Sequence, residues 1–227
     1  MSKITCDTKS CLLCTSCLPE WRELTALKKQ TRQFKKGERI FTEGDPVTGI
    51  FFTLSGAVKV HKQWGEQKEL IIRFVSGNDV IGVRGFGDTV LRASATALET
   101  TIACFIPNEH LQASLMTNAA FSYKLMQFYA TELQKAEQRM SDLANLDAKG
   151  RTASALLLLK DTFGLREDGY INITVSRQDI ASYAGTIYET VFKIFTEWIA
   201  SSFIQTEGKH MKILNEDGLR AFIPHNH

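Results

Sequence analysis

The chain lacks any run of about eighteen apolar residues, and its first residues lack the basic start and continuous apolar stretch of a secretory signal. The expectation is a cytoplasmic protein that meets no membrane. Charge of one sign is equally scarce, with a net of +2 over 227 residues and, across 149–220, nine Lys or Arg against nine Asp or Glu. No strong basic field can draw in a nucleic acid unaided. There is neither a Gly-rich phosphate loop nor a recognisable pairing of nucleophile with base, so no enzyme chemistry is expected. Past residue 17 cysteine is almost absent as well, with only Cys104 remaining.

That scarcity throws the amino terminus into relief, because Cys6, Cys11, Cys14 and Cys17 all fall within the first seventeen residues. Thiolates separated by two to five residues on a short, flexible loop can converge on one soft metal or iron-sulfur cluster. In a reducing cytoplasm such a group reads as metal binding or redox sensing before it reads as a disulfide framework. For Cys104 the plain alternative is a small buried residue on a strand.

The rest of the chain has an ordinary globular composition, 44% hydrophobic and 23% charged, with length for two compact domains. A short amphipathic helix is expected over 21–27. Apolar-alternating runs follow at 40–41, 50–54, 58–61, 70–74 and 101–106, parted by turn pairs such as Ser55-Gly56 and Gly77-Asn78. Strands recurring every eight to twelve residues without intervening helices favour a jelly roll or small barrel, which hides its sheet edges. Over 118–146 the period turns helical, with Met126, Tyr129, Leu133, Ala136, Met140 and Leu143 spaced alternately three and four apart. A stripe this narrow suits a two-helix dimer seam, and the plainer alternative is packing on its own domain. A hinge is expected at 147–150, then an apolar helix over 152–163, a strand at 170–175, two short helices and a hairpin around Gly208-Lys209.

The two short helices carry the second candidate site. Ser176 can cap a helix over 177–184, Gly185 breaks it, and Thr186 can cap another over 187–200, which is helix-turn-helix spacing. Ile180, Ala181, Ala184, Val191, Ile194 and Trp198 fall on inward faces, leaving Tyr188, Glu189, Phe192 and Lys193 to face a major groove. There a carboxylate accepts from cytosine N4, an amine reaches guanine O6 or a phosphate, and the Tyr188 hydroxyl contacts either. Arg177 and the hairpin's Lys209, His210 and Lys212 can meet the sugar-phosphate backbone.

Roll, seam helix and winged helix-turn-helix in this order resemble the CRP/FNR superfamily of bacterial transcription regulators, over nearly the whole chain. The fold class implied is α+β: an N-terminal antiparallel β-roll of the cyclic-nucleotide-binding, jelly-roll kind, a long dimerisation helix and a C-terminal winged helix-turn-helix. The corresponding segments are a cysteine-rich 1–19, a sensor roll 20–117, a dimerisation helix 118–147 and a DNA-binding domain 148–227. Local matches point to the FNR-like branch. Thr96-Ala97-Leu98-Glu99-Thr100, followed by Cys104 and Ile106-Pro107, resembles that branch's central cysteine segment, Cys17-Leu18-Pro19 the end of its N-terminal motif, and Gly185 to Lys193 its recognition helix, with Glu189 as the base-reading glutamate.

The resemblance implies a homodimer that binds double-stranded DNA, meets RNA polymerase, and reports oxygen, nitric oxide or redox state through a cysteine-held [4Fe-4S] cluster. Carried over by position, the ligands are Cys11, Cys17 and Cys104. The first ligand is expected at Thr8, so the fourth sulfur comes from Cys14, sterically easier in a tight loop, or from Cys6, nearer the family register. The N-terminal cysteines could instead hold zinc. The CRP branch binds cyclic AMP through Gly-Glu and Arg-Ser pairs, where this chain has Gly82-Val83 and Arg92-Ala93, leaving Arg92 as the one candidate effector residue. His61 and His110 sit in no recognisable haem motif. Lys193 replaces the usual arginine and Phe192 a small polar residue, so the preferred DNA site should differ from the family's common one.

Overall fold

The structure is a computed structural model, and it describes residues 11–65, 68–82 and 87–223. The chain divides into two compact units, one taking residues up to 62 with 74–134 and the other taking 63–73 with 135 onward.

The first unit opens on a one-turn helix, α1 (Leu12–Ser16), a 3-10 turn (Pro19–Trp21) and α2 (Arg22–Lys28). The cysteine segment is therefore partly helical where a flexible loop was expected. Cys11 stands at the N-cap of α1 and Cys17 at its C-cap, and the Thr15 hydroxyl donates back to the Cys11 carbonyl at 3.0 Å. Next come β1 (Gln30–Phe34), β2 (Arg39–Phe41), β3 (Gly49–Ser55), β4 (Val58–Trp64), β5 (Lys68–Val75, of which 68–73 are assigned to the second unit), β6 (Val80–Ile81), β7 (Ser94–Ala97) and β8 (Thr101–Pro107). They form two four-stranded sheets, ordered β1-β8-β3-β6 and β2-β7-β4-β5. Strand β8 runs antiparallel to both β1 and β3, and β7 antiparallel to both β2 and β4. Aromatic rings fill the space between the sheets: Phe51 lies 5.9 Å from Phe41 and 4.9 Å from Phe105.

The outer face of the β3–β8 pair is a second apolar surface, because side chains alternate across a strand. Ile50 and Phe52 of β3 and Ile106 of β8 pack there with Cys11 and Leu13. Helices α3 (Asn108–Thr117) and α4 (Ala119–Asn145) close this layer with Leu111, Phe121 and Leu125. Asn118, between them, bonds in two directions: its side-chain oxygen accepts from the Phe121 N–H at 3.0 Å, capping α4, and its amide donates to the Ser16 carbonyl at 2.6 Å. The start of the long helix is thus tied to the cysteine segment.

In the second unit α5 (Ala148–Phe163) begins where a hinge was expected. Asp147 caps it, accepting from the Gly150 N–H at 2.8 Å, so 147–150 are the first turn of a helix and not a loose joint. No strand forms at 170–175 although Tyr170, Ile171, Ile173 and Val175 are buried. The Ile171 and Asn172 N–H groups donate to Met211 and Gly164 carbonyls, leaving one isolated bridge where a ladder was expected. Then follow α6 (Arg177–Ala184), α7 (Tyr188–Ala200), the antiparallel hairpin β9 (Ile204–Glu207) and β10 (His210–Ile213), and α8 (Glu216–Arg220). Trp198, fully buried, anchors this core against Phe222 at 5.5 Å.

Candidate functional site

The helix pair is built from its caps. Ser176 and Asp179 form a reciprocal capping box, the Asp179 N–H donating to the Ser176 hydroxyl at 3.0 Å while the Ser176 N–H donates to the carboxylate at 3.2 Å. Gly185 ends α6 in the left-handed conformation at φ 61°. The second helix starts one residue later than expected. Its N-cap is Ile187, which supplies no side-chain bond, while the Thr186 N–H is spent on the Ala181 carbonyl. Ile180, Ala181, Ala184, Val191, Ile194 and Trp198 are all buried, and Tyr188, Glu189, Phe192 and Lys193 are exposed. The Arg177 guanidinium carbon lies 5.5 Å from both the Phe192 and Phe195 ring centroids.

On the hairpin Lys209 is exposed beside Gly208, whereas the Lys212 ammonium donates to the Asp168 carbonyl at 2.9 Å. Two arginines hold the end of α6. Arg139, from the long helix, donates to the carbonyls of Tyr183, at 2.8 Å, and Ile72 of β5, and lies 3.9 Å from the Tyr183 ring centroid. Arg151 donates to the carbonyls of Ala184 at 2.7 Å and Leu146 at 2.6 Å. Cations at a helix C-terminus satisfy its unpaired carbonyls and oppose its dipole. Sequence reading missed both: each arginine binds a main-chain oxygen of α6 more than thirty residues away, which no side-chain pattern reveals.

In the first unit Cys104 pairs across the sheet with Thr31 and Phe52. Alternation puts its side chain on the Phe52 and Ile106 face, which the cysteine segment covers, and its sulfur lies 3.4 Å from the Thr31 hydroxyl. Cys11 and Cys104 are buried, Cys14 and Cys17 half-buried. The Lys29 ammonium approaches the Cys14 sulfur at 3.9 Å. The Cys17 sulfur lies 3.4 Å from the Thr25 hydroxyl, which in turn is 2.9 Å from His110 Nε2. Burial, with Lys28 nearby, pushes the His110 imidazole below its ordinary value. Among the described residues no three His, Cys, Asp or Glu side chains already gather as a metal site. Cys6 and Thr8 lie outside the described residues. The donor chemistry suits a soft metal or iron-sulfur group, with Cys104 on the face that receives Cys11 and cationic or hydroxyl groups beside the other two sulfurs.

Between the sheets is a cavity of about 450 Å³, lined by Arg32, Phe41, Phe51, Gly82, Leu91 and Phe105 among others. Among its described lining residues the cation is Arg32, 5.1 Å from the Phe105 centroid. Arg92 is exposed, is absent from the lining, and pairs with Asp88 at 2.7 Å, holding that carboxyl below its usual range. Val83 falls outside the described residues. His61 and His110 are both buried, each with Nε2 within hydrogen-bond reach of a threonine hydroxyl.

Comparison with known proteins gives these pieces a family. A cyclic nucleotide-binding domain matches residues 31–118 and a Crp-like helix-turn-helix domain residues 150–222. The transcriptional activator protein FnrA of Stutzerimonas stutzeri is 31% identical over 221 residues, 94% of this chain and 91% of that protein. The chain belongs to the CRP/FNR family of transcription regulators. Its likeness runs to the FNR-like branch, since the transcriptional activator protein anr of Pseudomonas aeruginosa is also similar, 32% identical over the same shares. The solved structure of FixK2 from Bradyrhizobium japonicum has the same fold, with a TM-score of 0.79 over 88% of this chain and 99% of that one at 24% identity. As a CRP/FNR protein the chain is a DNA-binding regulator and not an enzyme, with the helix-turn-helix as its DNA-binding module. No helix among the described residues is long and apolar enough to cross a membrane.

Proposed function

We propose that this CRP/FNR protein is a cytoplasmic homodimer that senses oxygen, nitric oxide or redox state through a [4Fe-4S] cluster and passes that state to its DNA-reading helix. One observation carries the reading: Cys104 projects from the sheet face onto which the cysteine-bearing helix folds. Cys11, Cys17 and Cys104 are the proposed ligands, with Cys14 or Cys6 completing the set. Bound there, the cluster would supply a redox-labile cross-link between the N-terminal segment and the roll. Lys29 beside Cys14 and the Thr25 hydroxyl beside Cys17 put a positive charge and a polar group next to sulfurs that would carry a cluster. Cys11 and Leu13 share one apolar cluster with Phe121 and Leu125, and Asn118 binds the Ser16 carbonyl while capping α4. Order in the cysteine segment therefore stabilises the first turns of the seam helix, whose other face carries exposed Met126 and Leu133.

At the output end, Glu189 accepts from cytosine N4 and Lys193 meets guanine O6 or a phosphate, with Tyr188 and Phe192 beside them and Arg177 and Lys209 on the backbone. RNA polymerase is the further partner such a regulator addresses. Anaerobic purification tests the sensor directly. The expected product is brown, with broad visible absorption that bleaches in air and with iron and sulfide in equal amounts. A colourless anaerobic protein with stoichiometric zinc would overturn it. Serine at Cys14 or Cys6, each alone, then identifies the fourth ligand by which variant loses iron.

A further inference from the structure

The exposed face of α7 carries two side chains that charge readout does not use. Tyr188 and Phe192 are four residues apart, hence on one stripe, with rings 6.2 Å apart and inclined by 31°. They are 39% and 46% exposed. The core takes nothing from them, because Val191, Ile194, Phe195 and Trp198 fill the opposite face of the same helix. Nor does the hairpin hide Phe192, which at this exposure stays open to solvent. The Phe192 ring is nonetheless held: the Arg177 guanidinium is equidistant from this exposed ring and the buried Phe195 ring, bracing one against the other. Tyr188 lies beside it, one helical turn earlier. A large apolar ring kept in water and restrained in place is a preorganised contact.

Glu189 and Lys193 occupy the adjoining stripe of the same exposed helix face, so whatever meets them in a major groove also meets the rings. The major-groove edge offers one strongly apolar group, the C5 methyl of thymine. Against a phenyl ring the N4 of cytosine or the N7 and O6 of guanine would lose water without gaining a partner, whereas the methyl gains a dry contact. We propose that Phe192, braced by Tyr188 and Arg177, reads a thymine through its C5 methyl at a base step neighbouring the one addressed by Glu189. This rests on the DNA-reading role given to α7 above.

The test uses the full-length protein, purified anaerobically, with duplexes enriched by it from a random library. In the enriched duplex each thymine is replaced singly by deoxyuridine, which removes the methyl and nothing else, and binding is followed by fluorescence anisotropy at fixed salt. One thymine per half-site is expected to weaken binding about fourfold on replacement, as suits one buried methyl-sized group. In Phe192→Ala that position should bind thymine and deoxyuridine equally, with the fold checked by circular dichroism. If every deoxyuridine duplex binds wild type within about twofold of the parent, or if Phe192→Ala keeps the full penalty, methyl reading by Phe192 is wrong while the regulator stands. Failure of the library to enrich any sequence would instead remove the DNA-reading role of α7, and this inference with it.

Discussion

At Gly185 two constraints meet. The residue has φ 61°, and a Cβ built there would fall 2.9 Å from the Leu143 Cδ2 atom. A left-handed conformation costs an L-residue about 1–2 kcal/mol, and the close approach to the long helix adds to it. Gly185→Ala should therefore lower the second unit's stability by about 2 kcal/mol in urea unfolding, and Gly185→Asn somewhat less because asparagine tolerates this conformation better. His110 makes a different prediction, again from a single side chain. Its folded value is depressed, so the unfolded chain takes up this proton more readily, and the stability it contributes is whole above the ordinary histidine value of about 6.5 and lost as pH falls through the folded one. Urea stability of the first unit should fall between neutral and mildly acidic pH, and His110→Asn should flatten that slope. Residue positions that follow a period were legible beforehand: the inward set of the helix pair, the exposed face of α7, Gly185 itself. The Thr25 and His110 chain beside Cys17 was not, because it joins residues 85 apart through a fold contact.

Five of the eight roll strands, β2, β3, β4, β5 and β8, are legible as apolar runs between turn pairs, and α4 by its three-four spacing, whereas β1, β6 and β7 carry no such run. Legibility ends where backbone hydrogen bonds decide the outcome. Residues 147–150 look like a hinge by composition, but an aspartate cap turns them into a helix start. Residues 170–175 alternate like a strand, yet only the Ile171 N–H reaches β10, at the Met211 carbonyl, and no ladder follows. Arg139 belongs to the same class of hidden feature. Its guanidinium holds β5, through the Ile72 carbonyl, and α6, through the Tyr183 carbonyl and ring, against one turn of the long helix. Charged hydrogen bonds of this kind are worth about 1.5–3 kcal/mol, discounted here for partial exposure. Arg139→Met, which keeps the apolar stem, should lower the urea stability of the second unit by about 2 kcal/mol and speed amide exchange in residues 68–73. Arg139→Lys should recover only part of the loss, since an ammonium has no planar fork to span two carbonyls and stack on a ring.

For the molecule as a whole, the apolar seam of α4 needs a cover. Met126, Leu133 and Met140 are 60%, 60% and 67% exposed in the single chain, at heptad positions on one face of α4. Three large apolar side chains in water along one stripe are unfavourable alone and favourable against a second copy of the same stripe, where each knob enters a hole formed by the facing helix. Balanced charge points the same way: with nine cations against nine anions across 149–220, one reading helix has little counterion release to draw on, and affinity must come from two helices acting on paired half-sites. Leu133→Glu with Met140→Glu sets like charges against each other at both positions in a dimer, while in a monomer they merely meet solvent. The double variant should keep its circular dichroism spectrum, sediment as a monomer at micromolar concentration, and bind a two-half-site duplex at least tenfold more weakly than wild type. A double variant that still sediments as a dimer would place the interface elsewhere and leave the exposed stripe without its partner.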